Sequence, residues 1–175
     1  MTVAVVRADD IVPVAWKNGG GLTRDLLCEP AGPDWRIRIS LADIDRDGPF
    51  SAFPGVERWF AVVQGAGVRL AFAAGEQRVG PYDAAVRFDG AEAPGCTLVE
   101  GRTRDLNLML RGGAHGVMRR GVMRRGGEGD VWADEPGAQW PLRGCFDVQT
   151  MTLHWGLAAG PLQASGPVLW MGVAP

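Results

Sequence analysis

The sequence predicts an all-β protein built from roughly ten or more short antiparallel strands. Glycine occurs 26 times and proline 12 times among 175 residues, and both are spread along the whole chain. Because these residues interrupt regular structure, their spread predicts many short elements joined by turns. No segment shows a sustained helical periodicity, so we expect a low helix content.

Composition limits the number of domains and the class of partner. A chain of 175 residues suffices for one unit, or for two small lobes at about 1–112 and 113–175 that exchange strands. With 46% hydrophobic residues and seven tryptophans, it can bury a sizeable core. A formal net charge of −2 gives no reason to expect nucleic acid or an anionic membrane as a partner.

Cysteine usage and the lack of targeting signals predict a cytoplasmic protein. Cys28, Cys96 and Cys145 are odd in number, far apart and without metal-site spacing, so we interpret them as reduced thiols. The N-terminus lacks a basic-then-apolar signal, and no apolar run approaches the length that spans a membrane.

The strands are predicted from turn signals and from alternation. They are expected at residues 3–6, 24–29, 35–41, 56–63, 68–73, 84–88, 97–100, 105–111, 146–155 and 167–173. Alternation is clearest at 35–41, where apolar residues at odd positions alternate with Arg36, Arg38 and Ser40. One face of this strand belongs in a core. The other face meets water or lines a polar cavity, and the sequence leaves both possibilities open.

Three connections carry specific expectations. Residues 43–55 contain two prolines and predict a rigid loop, in which Phe50 and Phe53 fold back onto one end of the core. The segment Gly65-Ala66-Gly67 predicts a hairpin between the strands on either side of it. Residues 101–104 predict a second hairpin in the same way.

Residues 116–125 are a tandem repeat in which Gly-Val-Met-Arg-Arg occurs twice. Its arginines invite a phosphate- or nucleic-acid-binding interpretation. However, no aromatic residues are interleaved for base stacking, and acidic residues follow at Glu128 and Asp130. A solvated strand pair or a variable loop fits better, and no nucleic-acid partner is expected.

The most informative stretch is 16–25, Trp-Lys-Asn-Gly-Gly-Gly-Leu-Thr-Arg-Asp. Three successive glycines allow positive φ angles and close approach to another group. Lys17 is the single lysine among eighteen basic residues, which points to a need for a compact charge rather than the planar fork of arginine. The simpler interpretation is a flexible turn beside a strand, with one chance lysine.

A closed or sandwiched antiparallel architecture of this kind fits a jelly roll or a cupin-like barrel. A cupin usually holds a metal on several histidines and a glutamate, but His115 and His154 are isolated in this sequence. No cysteine lies near either histidine in sequence, so a Cys/His nucleophile is poorly supported. We therefore expect neither metal nor cofactor, and polar side chains must supply whatever chemistry the protein performs.

Three motifs in register resemble the HutD/Ves family. They are Trp16-Lys17-Asn18-Gly19-Gly20-Gly21 with Thr23, Asp47-Gly48-Pro49-Phe50-Ser51 with Phe53-Pro54-Gly55, and Arg104-Asp105-Leu106-Asn107-Leu108-Met109. The sequence departs from the family pattern at Ile37, where a tryptophan is usual, and at Asp25, where glutamate is more frequent. The resemblance spans the chain and implies an RmlC-type cupin fold, often described as a compact bicupin.

The same resemblance implies a function. Members of this family are encoded with histidine-utilisation genes and are thought to bind a small acidic metabolite and tune that pathway, without established catalytic activity. A formylglutamate-, formiminoglutamate- or urocanate-like ligand suits the candidate binding residues, in which cations meet carboxylates and polar groups meet an amide, formyl or formimino end. The candidates are Trp16, Lys17, Asn18, Thr23, Arg38, Ser40, Arg58, Asp105 and Asn107.

Two alternatives remain open at the level of sequence. In the first, Arg38 and Arg58 pair with Asp25 or Asp105 as a structural network, which is compatible with ligand binding by the same residues. In the second, the protein is a metal-independent enzyme that uses Lys17 or Asp105 in acid–base chemistry on a similar small substrate. A homodimer is compatible with the sequence but is not required by it.

Overall fold

The computed structural model describes residues 3–122, 140–157 and 166–175, and nearly all of its regular structure is β-strand. The strands are β1 (Ala4–Arg7), β2 (Val14–Ala15), β3 (Gly21–Glu29), β4 (Ile37–Ile44), β5 (Gly48–Pro49), β6 (Val56–Gln64), β7 (Val68–Phe72), β8 (Gly75–Val79), β9 (Val86–Asp89), β10 (Gly95–Leu98), β11 (Thr103–Arg111), β12 (His115–Val122), β13 (Leu142–Asp147), β14 (Thr152–Trp155) and β15 (Pro167–Ala174). Helix in these residues is limited to single 3-10 turns at Ala8–Asp10 and Gly90–Glu92. The predicted all-β fold with little helix is therefore confirmed.

The strands form three antiparallel sheets. A six-stranded sheet has the order β2-β3-β4-β11-β6-β9, and a four-stranded sheet has the order β5-β10-β7-β8. A five-stranded sheet, β1-β14-β13-β15-β12, joins the first strand of the chain to the strands of the C-terminal part. The division into two lobes stays a prediction.

The six-stranded sheet lies between the other two and uses both of its faces. Odd-numbered residues of β4, such as Ile39 and Leu41, are fully buried in a core shared with the five-stranded sheet. The main contributors on the opposite side of that core include Phe146, Leu153 and Leu169. This arrangement confirms that the apolar face of the alternating strand belongs in a core, and it leaves the even-numbered face for the four-stranded sheet.

A second, smaller core fills part of the space between the six-stranded and four-stranded sheets. It contains Phe60 and Val62 of β6 together with Val68 and Leu70 of β7. Because this core is small, it covers only one end of the sheet face that carries the even-numbered residues of β4. At the other end the same face carries polar side chains, and the space above them is open.

Both hairpins predicted at the glycine turns are wrong. The strands β6 and β7 belong to different sheets, and so do β10 and β11. A Cβ at Gly65 would lie 2.6 Å from the Arg102 carbonyl oxygen, and one at Gly67 would lie 2.3 Å from that of Val79. These glycines therefore serve close backbone packing where the chain crosses between sheets. A hairpin does form between the next two strands, β7 and β8, with Phe72 opposite Gly75.

The C-terminal part also differs from prediction. The strand expected at 146–155 is a pair, β13 and β14, joined by a turn in which Met151 has a φ of 50°. The first copy of the arginine repeat forms most of β12, an edge strand paired with β15, rather than the variable loop or solvated strand pair that was expected. Its Met118 is buried in the larger core, and Arg120 donates to the carbonyl oxygens of Val62 and Asp83. Residues 123–125 of the second copy lie outside the described residues.

Other sequence features can be placed briefly. Cys28, Cys96 and Cys145 are free thiols, and the latter two are buried. The described part of the chain contains no helix with the length and hydrophobicity that a membrane-spanning segment needs.

A candidate ligand-binding cavity

A cavity of about 620 Å³ opens on the face of the six-stranded sheet that carries Arg38 and Ser40 of β4. Its walls are the glycine-rich turn that precedes β3 and the loop around residues 49–53. All nine residues selected from the sequence contribute to its lining: Trp16, Lys17, Asn18, Thr23, Arg38, Ser40, Arg58, Asp105 and Asn107. A volume of this size is typical of a site for a small molecule.

Strand register brings these residues together although they are distant in sequence. Asn107 of β11 lies opposite Ser40 of β4, and Met109 lies opposite both Arg38 and Arg58 on its two neighbouring strands. Because side chains two positions apart on a strand share a face, all of these groups point to the same side of the sheet. Asp105 lies one step further along, opposite Ala42.

The glycine-rich turn owes its shape to specific contacts of its glycines. Gly19 has a φ of 69°, a left-handed conformation that favours glycine. A Cβ on Gly21 would lie 2.2 Å from the Asp43 carbonyl oxygen, so this position requires the absence of a side chain. The Gly20 amide donates to Asn18 Oδ1 at 2.9 Å, which fixes the Asn18 side chain against its own turn.

Trp16 and Thr23 form the wall next to this turn. The Trp16 indole Nε1 donates to Thr23 Oγ1 at 2.7 Å, and the half-buried ring packs against the smaller core. This bond occupies the Thr23 hydroxyl as an acceptor and leaves its proton available to another group. The pair thus offers an apolar surface with one hydroxyl donor beside it.

Lys17 lies on the exposed rim of the cavity. Within the part of the chain that the structure describes, its ammonium has neither a hydrogen bond nor an ion pair. The turn therefore holds a positive charge at the mouth of the cavity without using it for the fold. Because the ammonium remains accessible to water, a contact between Lys17 and a ligand would be only partly desolvated.

Arg38 forms an ion pair with Asp25. Its Nε and Nη2 atoms lie 2.8 Å and 2.7 Å from the same Asp25 carboxylate oxygen. Asp25 is exposed, so this ion pair is screened by solvent and adds little to stability. The pairing expected in the structural-network alternative is therefore present for Arg38, and both Arg38 and Asp25 also belong to the cavity lining.

Arg58, Asn107 and Asp105 form a buried chain of hydrogen bonds. Arg58 is 6% exposed and Asp105 is 1% exposed. Arg58 Nη2 donates to Asn107 Oδ1 at 2.9 Å, and Asn107 Nδ2 donates to Asp105 Oδ1 at 2.6 Å. Arg58 and Asp105 therefore do not pair directly, contrary to the structural-network alternative. Arg58 Nε and Nη1 and Asp105 Oδ2 are buried without a hydrogen-bond partner among the described residues.

Three phenylalanines surround the Arg58 guanidinium. The centroids of Phe50, Phe53 and Phe88 lie 5.2 Å, 5.6 Å and 5.0 Å from its central carbon. Each ring face attracts a cation, and such contacts strengthen when the cation is removed from water. Phe50 and Phe53 come from the loop that was predicted to fold back onto the core, whereas the contribution of Phe88 could not be predicted without knowing that β9 pairs with β6.

Burial shifts both charged ends of this chain toward their neutral forms. Burial lowers the pKa of Arg58 to about 10, with Asp105 opposing the decrease and Arg38 adding to it. Burial raises the pKa of Asp105 to about 7, against the hydrogen bond from Asn107 and the charge of Arg58, while Asp43 adds to the increase. Arg58 is thus cationic at neutral pH, and Asp105 changes its charge near pH 7.

The cavity lining is positively charged overall. Lys17, Arg38 and Arg58 are cationic, and Asp25 and Asp105 are its acidic members, so the lining carries a net charge of about +1. Protonation of Asp105 raises this to about +2. A cavity of this charge attracts small anions.

The lining does not suit the metal that cupins usually hold. The described residues contain no group of three or more His, Cys, Asp or Glu side chains placed to bind a metal ion. In addition, Arg38 and Arg58 belong to the cavity lining, where their positive charges oppose a cation. The expectation of a metal-free protein rests on these residues and stays a prediction.

Comparisons with solved structures confirm the cupin-like fold. HutD from Pseudomonas fluorescens SBW25 has a TM-score of 0.78 at 24% identity, with 98% of each chain covered. A conserved protein of unknown function from Pseudomonas aeruginosa PAO1 has a TM-score of 0.75 at 20% identity, with 100% of each chain covered. A predicted oxalate decarboxylase from Thermotoga maritima is more distant, with a TM-score of 0.51 at 15% identity over 62% of this chain and 99% of that one. At these identities the likeness shows the fold alone.

Sequence comparisons give the family. An uncharacterised 21.2 kDa protein in the hutC 3′ region of Pseudomonas putida is 38% identical over 110 residues, 60% of this chain and 56% of that protein. The protein Ves of Citrobacter koseri is 40% identical over 102 residues, 55% of this chain and 51% of that protein. This chain therefore spans about half the length of the curated relatives it matches. The HutD family profile matches residues 8–153, and the chain belongs to the HutD family.

Proposed function

We propose that the cavity binds a small acidic metabolite of histidine breakdown and that this binding lets the protein tune histidine utilisation. The expected ligands are formylglutamate, formiminoglutamate or a urocanate-like carboxylate. The support comes from the charge of the cavity together with family membership. One relative lies in the hutC 3′ region, which places a related protein beside a hut gene.

The observation that carries this proposal is the buried Arg58 cation. A guanidinium that is 6% exposed and not paired directly with a carboxylate loses hydration without full compensation. An anion in the cavity next to it supplies the missing negative charge. Because Arg58 is buried beside three phenylalanine rings, it attracts the ligand mainly by its field, while Lys17 and Arg38 make the contacts.

The rest of the lining suits the other parts of such a ligand. Lys17 provides an ammonium at the rim for a carboxylate. Ser40 and Thr23 provide hydroxyl groups, and Trp16 and Met109 provide apolar surface. A four- or five-carbon acid with one amide, formimino or imidazole group matches both the size of the cavity and this mixture of polar and apolar walls.

Calorimetric titration tests the binding. Purified protein is titrated with formylglutamate, formiminoglutamate and urocanate, and with the uncharged compound glutaramide as a control. We expect saturable one-to-one binding of at least one of the acids and none of the control. Arg38→Gln, which removes a cation from the lining, should weaken binding, whereas Arg78→Gln, which removes an exposed cation of β8 outside the lining, should not. Failure of all three acids to bind contradicts the proposal.

The regulatory part requires an experiment in cells. A strain that carries the histidine-utilisation genes and lacks its own HutD protein is complemented with wild type or with a non-binding variant. We expect altered growth on histidine to be restored by wild type alone. Equal restoration by the non-binding variant would separate regulation from ligand binding.

A metal-independent enzyme acting on a similar substrate is the second candidate function. The observation that favours it is Asp105, whose pKa of about 7 suits proton transfer at neutral pH. Long incubation of protein with each acid, followed by proton NMR of the small molecule, distinguishes the two functions. Unchanged ligand spectra after many binding equivalents support a binding protein, and new resonances support an enzyme.

A further inference from the structure

We propose that Asp105 determines which acids the cavity accepts, by favouring ligands that present an N–H donor to its unpaired oxygen. The favoured class is N-acylated or N-formimino amino acids and imidazole carboxylates, and plain carboxylates of the same shape are disfavoured. This inference rests on the proposed function, because it assumes that a small acid occupies the cavity.

The first step is the orientation of Asn107. Arg58 can only donate hydrogen bonds, so the Asn107 atom that faces it at 2.9 Å must be the amide oxygen. The amide nitrogen then faces Asp105 and donates to Oδ1 at 2.6 Å. A flipped Asn107 amide would instead place its nitrogen against the Arg58 donor and its oxygen against the Asp105 carboxylate. The amide is therefore fixed by its two charged neighbours.

The second step is the acceptor that remains. Asp105 Oδ2 is buried and has no partner among the described residues, although Asp105 belongs to the cavity lining. A buried carboxylate oxygen without a donor is unfavourable. Since Asn107 is committed to Oδ1, the donor for Oδ2 comes from a bound ligand.

The third step concerns the kind of group that can approach. A ligand carboxylate at this point would bring two like charges together, whereas an N–H group matches the acceptor. The ligand carboxylate is accommodated instead near the cations Lys17 and Arg38. Arg58 is buried beside Phe50, Phe53 and Phe88 and adds to the positive field of the cavity. The cavity thus has cations at its mouth and a hydrogen-bond acceptor, Asp105 Oδ2, at its floor.

The test compares two ligands of equal shape and charge. N-Formylglutamate carries an N–H that 2-formyloxyglutarate replaces by an ester oxygen, and both keep two carboxylates. Calorimetric titration of the wild-type protein should give at least about tenfold tighter binding of the amide, because a site built for an N–H rejects an analogue that lacks it.

Asp105→Asn gives a signature that a purely structural role would not produce. In this variant the new side-chain oxygen accepts from Asn107, which places the new amide nitrogen where Oδ2 was. A donor then replaces the acceptor, so the preference for the amide over the ester should disappear or invert. Asp34→Asn is the matched control, because it makes the same change at an exposed carboxylate outside the cavity lining and should leave the ratio unchanged.

Each outcome decides the matter. A wild-type ratio of tenfold or more that is lost only in Asp105→Asn supports the inference. Equal binding of both ligands by wild type, or an unchanged ratio in Asp105→Asn, overturns it while leaving the proposed function in place. If neither ligand nor the other acids bind, the proposed function fails and the inference fails with it. Should Asp105→Asn not fold, the wild-type ratio alone decides, and a value near one overturns the inference.

Discussion

Substitution of Lys17 by methionine tests the role of the cavity mouth most directly. The change removes the ammonium and keeps most of the apolar stem. Because Lys17 is exposed and makes no ion pair with the described residues, the thermal midpoint of unfolding should change by less than about 2 °C. Binding of an acidic ligand should become weaker.

The size of the expected loss follows from the exposure of Lys17. Two unit charges 4 Å apart interact by about 1 kcal/mol in water and by about 4 kcal/mol at the effective dielectric near a protein surface. A rim ammonium lies toward the watery limit, so a loss of about 1–2 kcal/mol is expected, or roughly five- to thirty-fold in dissociation constant. Lys17→Arg should bind at an intermediate level, because the charge stays but its planar head needs more room.

The assay is calorimetric titration with the tightest-binding acid at low and high salt. The Debye length falls from about 10 Å at 0.1 M salt to about 3 Å at 1 M, so the difference between wild type and Lys17→Met should shrink at high salt. Arg78→Met, which removes one exposed charge from β8, controls for the change in net charge. If Lys17→Met binds normally but melts much lower, Lys17 supports the fold and our assignment of the cavity mouth is wrong.

Three further predictions concern the fold and its ionisable groups. Gly21→Ala should lower the free energy of unfolding by about 2 kcal/mol or more in urea titration, because its Cβ would lie 2.2 Å from the Asp43 carbonyl oxygen, whereas Gly48→Ala meets nothing within 4 Å and should be neutral. The pKa of Asp105 is about 7 in the folded protein, so the folded state binds the extra proton, and the contribution of this group to stability falls as pH rises from about 4 to about 7. Asp105→Asn should therefore gain stability relative to wild type across that range, and a constant difference would contradict the shift. Elemental analysis of the purified protein should find no stoichiometric transition metal, and about one iron, zinc or manganese per chain would refute the metal-free interpretation.

Much of the candidate site could be predicted because strand alternation is local information. The even positions of 36–40 are polar, and Asp105 and Asn107 are two residues apart, so each set shares one face of its strand. What alternation could not supply was the partner of that face. The structure shows that β4 and β11 are neighbours, and this register turns two polar stripes into one cavity floor.

Sheet membership was not predictable for a physical reason. A glycine-rich turn indicates that the chain changes direction. It does not indicate whether the next strand joins the same sheet or another one, because both connections require similar local conformations. Gly65 and Gly67 illustrate the point, since both have positive φ angles as a hairpin turn would require. Their decisive feature is contact with the backbone of Arg102 and Val79, which are distant in sequence. Such contacts exist only once the sheets are assembled.

The position of Asp105 was predicted, but its environment was not. Asp and Arg residues near each other in a fold usually suggest an ion pair, and no sequence pattern indicates that Asn107 separates Arg58 from Asp105. The separation matters energetically, because a direct bidentate pair would satisfy both charges better than a chain of single hydrogen bonds.

The same separation raises the question of why the hydrogen-bonded chain of Arg58, Asn107 and Asp105 is buried. The opposite face of the same sheet shows that apolar residues at these strands pack well, as Leu106 and Leu108 are fully buried. Apolar residues in place of Arg58, Asn107 and Asp105 together would extend the smaller core and remove three unsatisfied atoms. Stability alone therefore favours replacement of the chain. Its presence is better explained by a bound molecule, which satisfies the free acceptor of Asp105 and balances the charge of Arg58 when the cavity is filled.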